Sequence, residues 1–112
     1  MLLIRETSPA QLIHRKVNGN AIAFEAVSSG KRQGLCVFTL RDHAVYIEDA
    51  YYQDLGILDG LVRAGFSAAW QRGYGQFGFS PAMAAALRER LLEIGIPKEG
   101  RLEAFFSRTC RG

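Results

Sequence analysis

A glycine-bearing turn near the middle of the chain carries the residues best suited to bind an anion. The segment Gln53-Asp54-Leu55-Gly56-Ile57 follows a hydrophobic stretch and precedes an amphipathic one. A strand that enters a helix through such a turn leaves free backbone N–H groups at the helix N-terminus, where the helix dipole also favours negative charge. The pattern predicts a phosphate-binding turn. The alternative is a plain strand-to-helix turn in which Gly56 only relieves backbone strain.

Two acidic residues and two tyrosines lie immediately before this turn. Glu48 and Asp49 are adjacent, so on a regular strand their side chains face opposite sides. A carboxylate that points inward could take the proton of an amine nucleophile, directly or through water; otherwise both are solvated acids at a strand end. Tyr51 or Tyr52 could enter a cleft between diverging strands and supply a proton, or could serve only in packing.

The elements that position these residues follow from hydrophobic periodicity and from turn residues. The predicted order is strand, helix, three strands, helix, strand, helix, strand, with the three consecutive strands in an antiparallel meander. This order predicts an α+β fold with a mixed, mostly antiparallel sheet and helices on both faces. The expected strands are 2–5, 21–27, 34–40, 44–52, 74–79 and 102–107, and the expected helices are 8–16, 57–70 and one that begins at Ser80-Pro81 and ends at Gly95.

Gly65 lies on the apolar face of the long predicted helix, beside Leu58, Leu61 and Val62. Because glycine weakens a helix, its presence on the inner face predicts a close approach to the sheet. The other helix starts are predicted from Ser8 and Ser80, each a capping residue followed by proline.

Composition bounds the function classes. The chain has 112 residues, 48% hydrophobic residues and a net charge of +3, which are typical of one soluble domain over residues 1–112. The basic residues are scattered, so we expect no nucleic-acid partner. No apolar stretch approaches membrane-spanning length and no signal peptide is evident, so we expect a cytoplasmic protein with no membrane partner. Aromatic content and an expected open sheet edge favour a homodimer.

Cysteine and histidine offer no metal site. Cys36 and Cys110 have no metal-ligand spacing, and Cys36 lies within an apolar strand, which predicts a buried, unreactive thiol. His14 and His43 are far apart in sequence and have no ligand-like neighbours. Arg88 and Arg90 could meet ligand phosphates, or could form a solvated helix face.

From Ala21 to Ser107, the order of elements and the Gln53-x-x-Gly56 motif resemble the GNAT-type N-acetyltransferase superfamily. The resemblance implies acetyl-CoA as cosubstrate, an amine as acceptor and a backbone cradle for the CoA pyrophosphate after the fourth strand. It implies Glu48, Asp49 and Tyr52 as catalytic residues. The cofactor-binding residues implied are Tyr51, Gln53, Leu55, Gly56, Ile57 and Leu58.

Several features depart from the family pattern and leave a second function open. Leu58 stands where the family has a small residue, and the segment before the helix is shorter than usual. Leu91 replaces the tyrosine that commonly protonates the departing thiolate, and the N-terminal helical part is reduced. The chain is therefore expected to be either an acetyl-CoA-dependent N-acyltransferase or a non-catalytic binding or assembly module of the same fold; a small α+β protein without a ligand at this turn is the third reading.

Overall fold

A computed structural model of the chain, which describes residues 1–9 and 20–109, has a six-stranded sheet at its centre. The strands are β1 (Leu2–Thr7), β2 (Asn20–Ser28), β3 (Lys31–Arg41), β4 (Ala44–Tyr52), β5 (Gln76–Phe79) and β6 (Glu99–Arg101), and the helices are α1 (Leu55–Gln71), α2 (Ala85–Glu93) and α3 (Leu102–Thr109). The strands lie in chain order across the sheet. Among these six strands, β4 and β5 are parallel and the other neighbouring pairs are antiparallel. The predicted α+β class with a mostly antiparallel sheet is confirmed.

The predicted meander of β2, β3 and β4 is confirmed, and short turns fix its register. Ser29 and Gly30 join β2 to β3 with φ of 52° and 77°, the left-handed pair that a two-residue hairpin turn requires. Asp42, with φ of 53°, opens the next turn. Between these turns, residues 34–40 of β3 are all buried, as expected for a central strand.

Helix α1 connects β4 to β5 and packs across β2, β3 and β4. Its apolar stripe is fully buried, and Gly65 lies against the ring of Phe38: a Cβ at Gly65 would stand 2.1 Å from Phe38 Cζ. The predicted close approach of helix to sheet is therefore confirmed. The buried residues of α1 are Ile57, Leu58, Leu61, Val62, Gly65, Phe66 and Ala69.

The segment predicted as a last strand, Leu102 to Ser107, is helical, so that prediction was wrong. Leu102 and Phe105 are buried while Glu103 and Ala104 between them are exposed, which is a helical spacing rather than strand alternation. Phe105 packs edge-to-face on Phe66 of α1, with ring centroids 5.3 Å apart. The burial of Phe105 against α1 is the physical reason that this segment leaves the sheet after the three residues of β6.

The helix predicted to begin at Ser80 begins at Ala85, so its predicted start was also wrong. The Ser80 hydroxyl accepts a hydrogen bond from the Ala82 amide at 3.2 Å and thereby stabilises a turn before the helix. Leu87 and Leu91 bury the inner face of α2, as predicted. The helix expected from Ser8 to Lys16 lies for the most part outside the described residues. None of the described helices is both long and apolar enough to span a membrane.

Substitution of Gly65 by alanine is expected to lower the free energy of unfolding by about 1–3 kcal/mol, because the new methyl group would overlap the fully buried Phe38 ring. Urea unfolding followed by circular dichroism measures the change. The control is Gly60→Ala in the same helix, where the new Cβ meets only the end of the Ile4 side chain, at 2.7 Å. Equal stability of Gly65→Ala and wild type would contradict the close seating of α1.

Candidate functional site

The pairing of β4 with β5 ends halfway along β4. The paired residues run from Ala44–Gln76 to Ile47–Phe79, and the Ser80 amide donates to the Ile47 carbonyl at 3.0 Å. After this point the chain turns away through Ser80, while β4 continues for the five residues Glu48 to Tyr52. The last part of β4 thus extends beyond the paired part of β5, and we call the space beside this unpaired edge of β4 the slot.

A β-bulge lies at the point where this pairing ends. In the register of β3 with β4, Phe38 pairs with Ile47 and Val37 pairs with Asp49, so Glu48 is an extra residue. A bulge shifts side chains from their regular alternation. Glu48 accepts a hydrogen bond from the Thr39 hydroxyl at 2.7 Å. Thr39 shares a sheet face with Val37, the partner of Asp49, because residues two apart on a strand face the same way.

Glu48 and Asp49 therefore lie on the same face of the sheet, opposite to α1. The expectation that they face opposite sides was wrong, because it assumed a regular strand and the bulge adds a residue between them. Both side chains are half-buried. Asp49 Oδ1 accepts a hydrogen bond from the Ala50 amide at 2.9 Å. Two carboxylates thus stand together beside the slot.

Tyr51 and Tyr52 point to different faces of β4. Tyr52 is half-buried and packs against the core under α1. Tyr51 pairs with Leu35 on the opposite face and is exposed. Tyr51 lies near Arg32. The pKa of the Arg32 guanidinium is raised mainly by its hydrogen bond to Glu25 and, to a smaller extent, by Tyr51. Tyr52 is the tyrosine that borders the helix side of the slot.

The predicted anion-binding turn is short, and an acidic side chain caps it. Only Gln53 and Asp54 separate β4 from α1, and the Gln53 amide donates to the Gln33 carbonyl at 3.0 Å. Asp54 is the N-cap: its Oδ1 accepts from the Ile57 amide at 2.9 Å. The Leu58 amide donates to the Asp54 carbonyl at 3.2 Å. The amides of Ile57 and Leu58 are thus already engaged within the chain.

Leu55 and Gly56 provide the remaining amides of this turn. The Leu58 side chain is fully buried beneath the helix, so it does not crowd the mouth of the turn. A cavity of about 480 Å³ lies beside Gly56; it is lined by Leu2, Ser28, Gln33, Asp54, Gly56 and Ile57. These lining residues include the Asp54 carboxylate and no cationic side chain, so the electrostatics of this cavity oppose a diphosphate.

Asp54 was not identified from the sequence as the N-cap of α1, although its position indicates that role. An aspartate immediately before an amphipathic run is a typical N-cap, because its side chain accepts from an amide two or three residues further on. Thr39, the hydrogen-bond partner of Glu48, had no sequence signal. Its contact depends on the register of β3 against the bulge.

Cys36 is buried, and this burial is the main reason that the pKa of its thiol lies well above the usual range. The nearby negative charge of Asp49 raises the pKa further. The thiol is therefore protonated and unreactive at neutral pH, as predicted. Cys110 lies outside the described residues. Within the part of the chain that the structure describes, no three histidine, cysteine or acidic side chains are grouped as metal ligands would be.

An ion-pair network centred on the buried Glu25 lies on the same sheet face as Tyr51. The Glu25 carboxylate accepts from Arg5 Nε at 2.8 Å and from Arg32 Nη2 at 2.8 Å. The hydrogen bond from Arg5, and then that from Arg32, lowers the pKa of Glu25 below its usual range. Glu25 is the buried acid of the network, with its side chain only 9% exposed.

This network predicts an acid-sensitive part of the stability. Glu25 stays ionised in the folded state at pH values where the unfolded chain, with a glutamate pKa of about 4.3, takes up a proton. Its contribution is therefore complete above that value and is lost as the pH falls through the lower folded-state pKa. Urea unfolding between pH 7 and pH 3 is expected to show a shallower acid decline for Glu25→Gln than for wild type. The exposed Glu93→Gln serves as control, and parallel profiles for Glu25→Gln and wild type would contradict the role of Glu25.

Comparisons with known proteins identify the fold. No protein-family model and no curated protein matches the sequence. Among solved structures, the IAA acetyltransferase from Bacillus cereus ATCC 14579 superposes with a TM-score of 0.62 at 12% identity, over 85% of this chain and 76% of that one. The ribosomal-protein-S18-alanine N-acetyltransferase from Escherichia coli gives 0.62 at 12% identity, over 85% and 77%.

A third neighbour is the PaiA N-acetyltransferase from Thermoplasma acidophilum, whose structure is a complex with coenzyme A. It superposes with a TM-score of 0.56 at 9% identity, over 68% of this chain and 51% of that one. Identities this low relate the folds rather than the activities. The ordered sheet, the parallel β4–β5 pair and these neighbours together show that the chain has the fold of the GNAT-type acetyltransferases.

Proposed function

We propose that the chain is an acyl-CoA-dependent N-acyltransferase that uses acetyl-CoA as its acyl donor and an amine as acceptor. The observation that carries the proposal is the divergence of β4 from β5 after the Ile47–Phe79 pair. An extended pantetheine arm needs a slot with a strand edge along one side, because its amides form hydrogen bonds as a strand does. The coenzyme A complex of the Thermoplasma neighbour supports the same class of donor.

In the proposed reaction the amine nitrogen attacks the thioester carbonyl, the new C–N bond forms and the C–S bond breaks. Glu48 or Asp49 takes the proton that the ammonium must lose before or during attack. Thr39 holds the Glu48 carboxylate by the 2.7 Å hydrogen bond. Tyr52, at the end of β4, is the proposed source of the proton that the departing thiolate takes up.

The proposed base is tested by Glu48→Gln, which is expected to lower kcat/KM by about 10²-fold or more, since general-base catalysis supplies a factor of that order. Release of the CoA thiol is measured with acetyl-CoA and a panel of primary amines, peptides and aminoglycosides. Thr39→Val, which removes the hydrogen bond to Glu48, is expected to give a smaller loss, and the exposed Glu93→Gln is expected to give none. Unchanged turnover in both Glu48→Gln and Asp49→Asn would rule out this role for the carboxylates.

A second function is favoured by the N-terminus of α1. The Asp54 carboxylate occupies the Ile57 amide, and the link from β4 to α1 has only two residues. Both features reduce the capacity of this turn to hold a diphosphate. The competing proposal is therefore a binding or assembly module of this fold that transfers no acyl group.

Substitution of Asp54 by asparagine separates the two functions. Asparagine keeps the capping oxygen but removes the negative charge, so an acyltransferase is expected to bind acetyl-CoA at least about threefold more tightly. Isothermal titration calorimetry measures the affinity, with Asp42→Asn in the β3–β4 turn as a charge-matched control. Folded wild-type and Asp54→Asn proteins that bind no acetyl-CoA at millimolar concentration would eliminate the acyltransferase and favour the module.

A further inference from the structure

A second cavity, of about 490 Å³, lies beside β4, β5 and β6. A volume of this size accommodates a small organic molecule. It lies over the part of the sheet where β4 and β5 are fully paired, and its lining contains none of Glu48, Asp49 or the residues of the α1 turn. It is therefore a different site from the proposed acyl-transfer slot. The residues of its lining used below are Tyr46, Gly78, Arg88, Lys98, Glu99 and Arg101.

The floor of the cavity is formed by Tyr46 of β4 and by Gly78 of β5, which lies beside it and has no side chain to fill the space. A Cβ at Gly78 would stand 3.2 Å from the Tyr46 ring, so a larger side chain there would occupy the space. The Arg41 guanidinium lies 4.6 Å from the centre of the same ring and holds it in place by a cation–π contact. Tyr46 and Gly78 thus form a fixed, flat floor.

Arg88 on α2 provides the feature that calls for a ligand. Its Nε is fully buried and has no hydrogen-bond partner among residues 1–9 and 20–109, whereas buried polar groups in native proteins are nearly always paired. A buried charged donor without an acceptor costs more free energy than a neutral one. An oxyanion in the cavity, which Arg88 lines, would offset this cost through its charge and through hydrogen bonds from the guanidinium.

The charges around the cavity favour the same kind of occupant. Arg88, Lys98 and Arg101 contribute three positive charges to its lining, and Glu99 contributes one negative charge. Arg101 is only loosely paired with Glu103, at 3.7 Å, and both side chains are about three-quarters exposed. A guanidinium is well suited to a carboxylate or a phosphate, because its planar set of donors matches their oxygens.

From the unpaired Arg88 Nε, the cationic lining and the fixed floor, we propose that this cavity is a binding site for a small organic anion that carries a carboxylate or phosphate group. The Arg88 guanidinium donates to an oxygen of that group, and Lys98 adds a second cation. The hydrocarbon part of the ligand lies against the floor of Tyr46 and Gly78. None of these residues has a role in the proposed acyl transfer.

The test titrates the full chain with inorganic phosphate and, separately, with succinate, and follows backbone amide and arginine Nε–H signals by NMR. Wild type is expected to show saturable shifts at Arg88 and at residues 76–79 and 98–101. Arg88→Met is expected to raise the dissociation constant at least about tenfold, the effect of one charge-assisted hydrogen bond. Arg90→Met on the same helix, which removes an exposed partner of Glu93 at 3.4 Å, is the matched control and is expected to bind as wild type does.

The stability of Arg88→Met and the anion affinity of Lys98→Met provide two further tests. Arg88→Met is expected to be at least as stable as wild type in anion-free buffer, because it removes a buried donor that has no partner. Lys98→Met weakens binding in the same assay without altering α2. A preference for phosphate or for succinate assigns the anionic group of the ligand. The proposal is overturned if neither anion saturates, or if Arg88→Met and Arg90→Met weaken binding equally.

Discussion

The contact between Gly65 and the Phe38 ring is the constraint on which the arrangement of this chain depends. Because the helix has no side chain at that point, its backbone lies directly on the ring, and Phe38 is fixed in turn between Phe24 and Phe66. Seating α1 so closely on β3 fixes the direction in which the helix leaves β4. After α1, β5 returns beside β4 and pairs with only its first half, from Ala44 to Ile47.

The short link at the start of α1 follows from the same constraint. With the helix held down on the sheet, Gln53 and Asp54 suffice to connect β4 to Leu55. A two-residue link leaves no loop to wrap around a diphosphate, and the first turn satisfies its amides with Asp54 instead. The energetics of capping and of anion binding compete here for the same N–H groups, because each helix N-terminus has only four. A donor in the slot would therefore depend more on contacts along β4 than on the helix terminus.

The sequence predicted those parts of the fold that depend on local periodicity. The meander, the strand–helix–strand order around α1 and the close approach at Gly65 follow from alternation, turn residues and one glycine on an apolar face. The segment from Leu102 was misjudged because two adjacent phenylalanines suit a strand as well as a helix, and only the contact of Phe105 with Phe66 decides between them. The bulge at Glu48 was beyond prediction for a similar reason: it is a property of two strands in register, and neither strand alone encodes it.

The bulge at Glu48 also places both carboxylates on one face of the sheet, which regular pairing would not do. On a regular strand one of the two acids would point into the apolar core beneath α1, where an unpaired charge is costly. The extra residue moves both to the other face, where Thr39 holds one carboxylate and the Ala50 amide holds the other. The two negative charges then lie beside the divergence of β4 and β5, so an ammonium group approaching the slot would meet attraction from both and could give its proton to either. The bulge lies at the residue where the β4–β5 pairing ends, so the unpaired edge of β4 and the two acids occur at the same place on the strand.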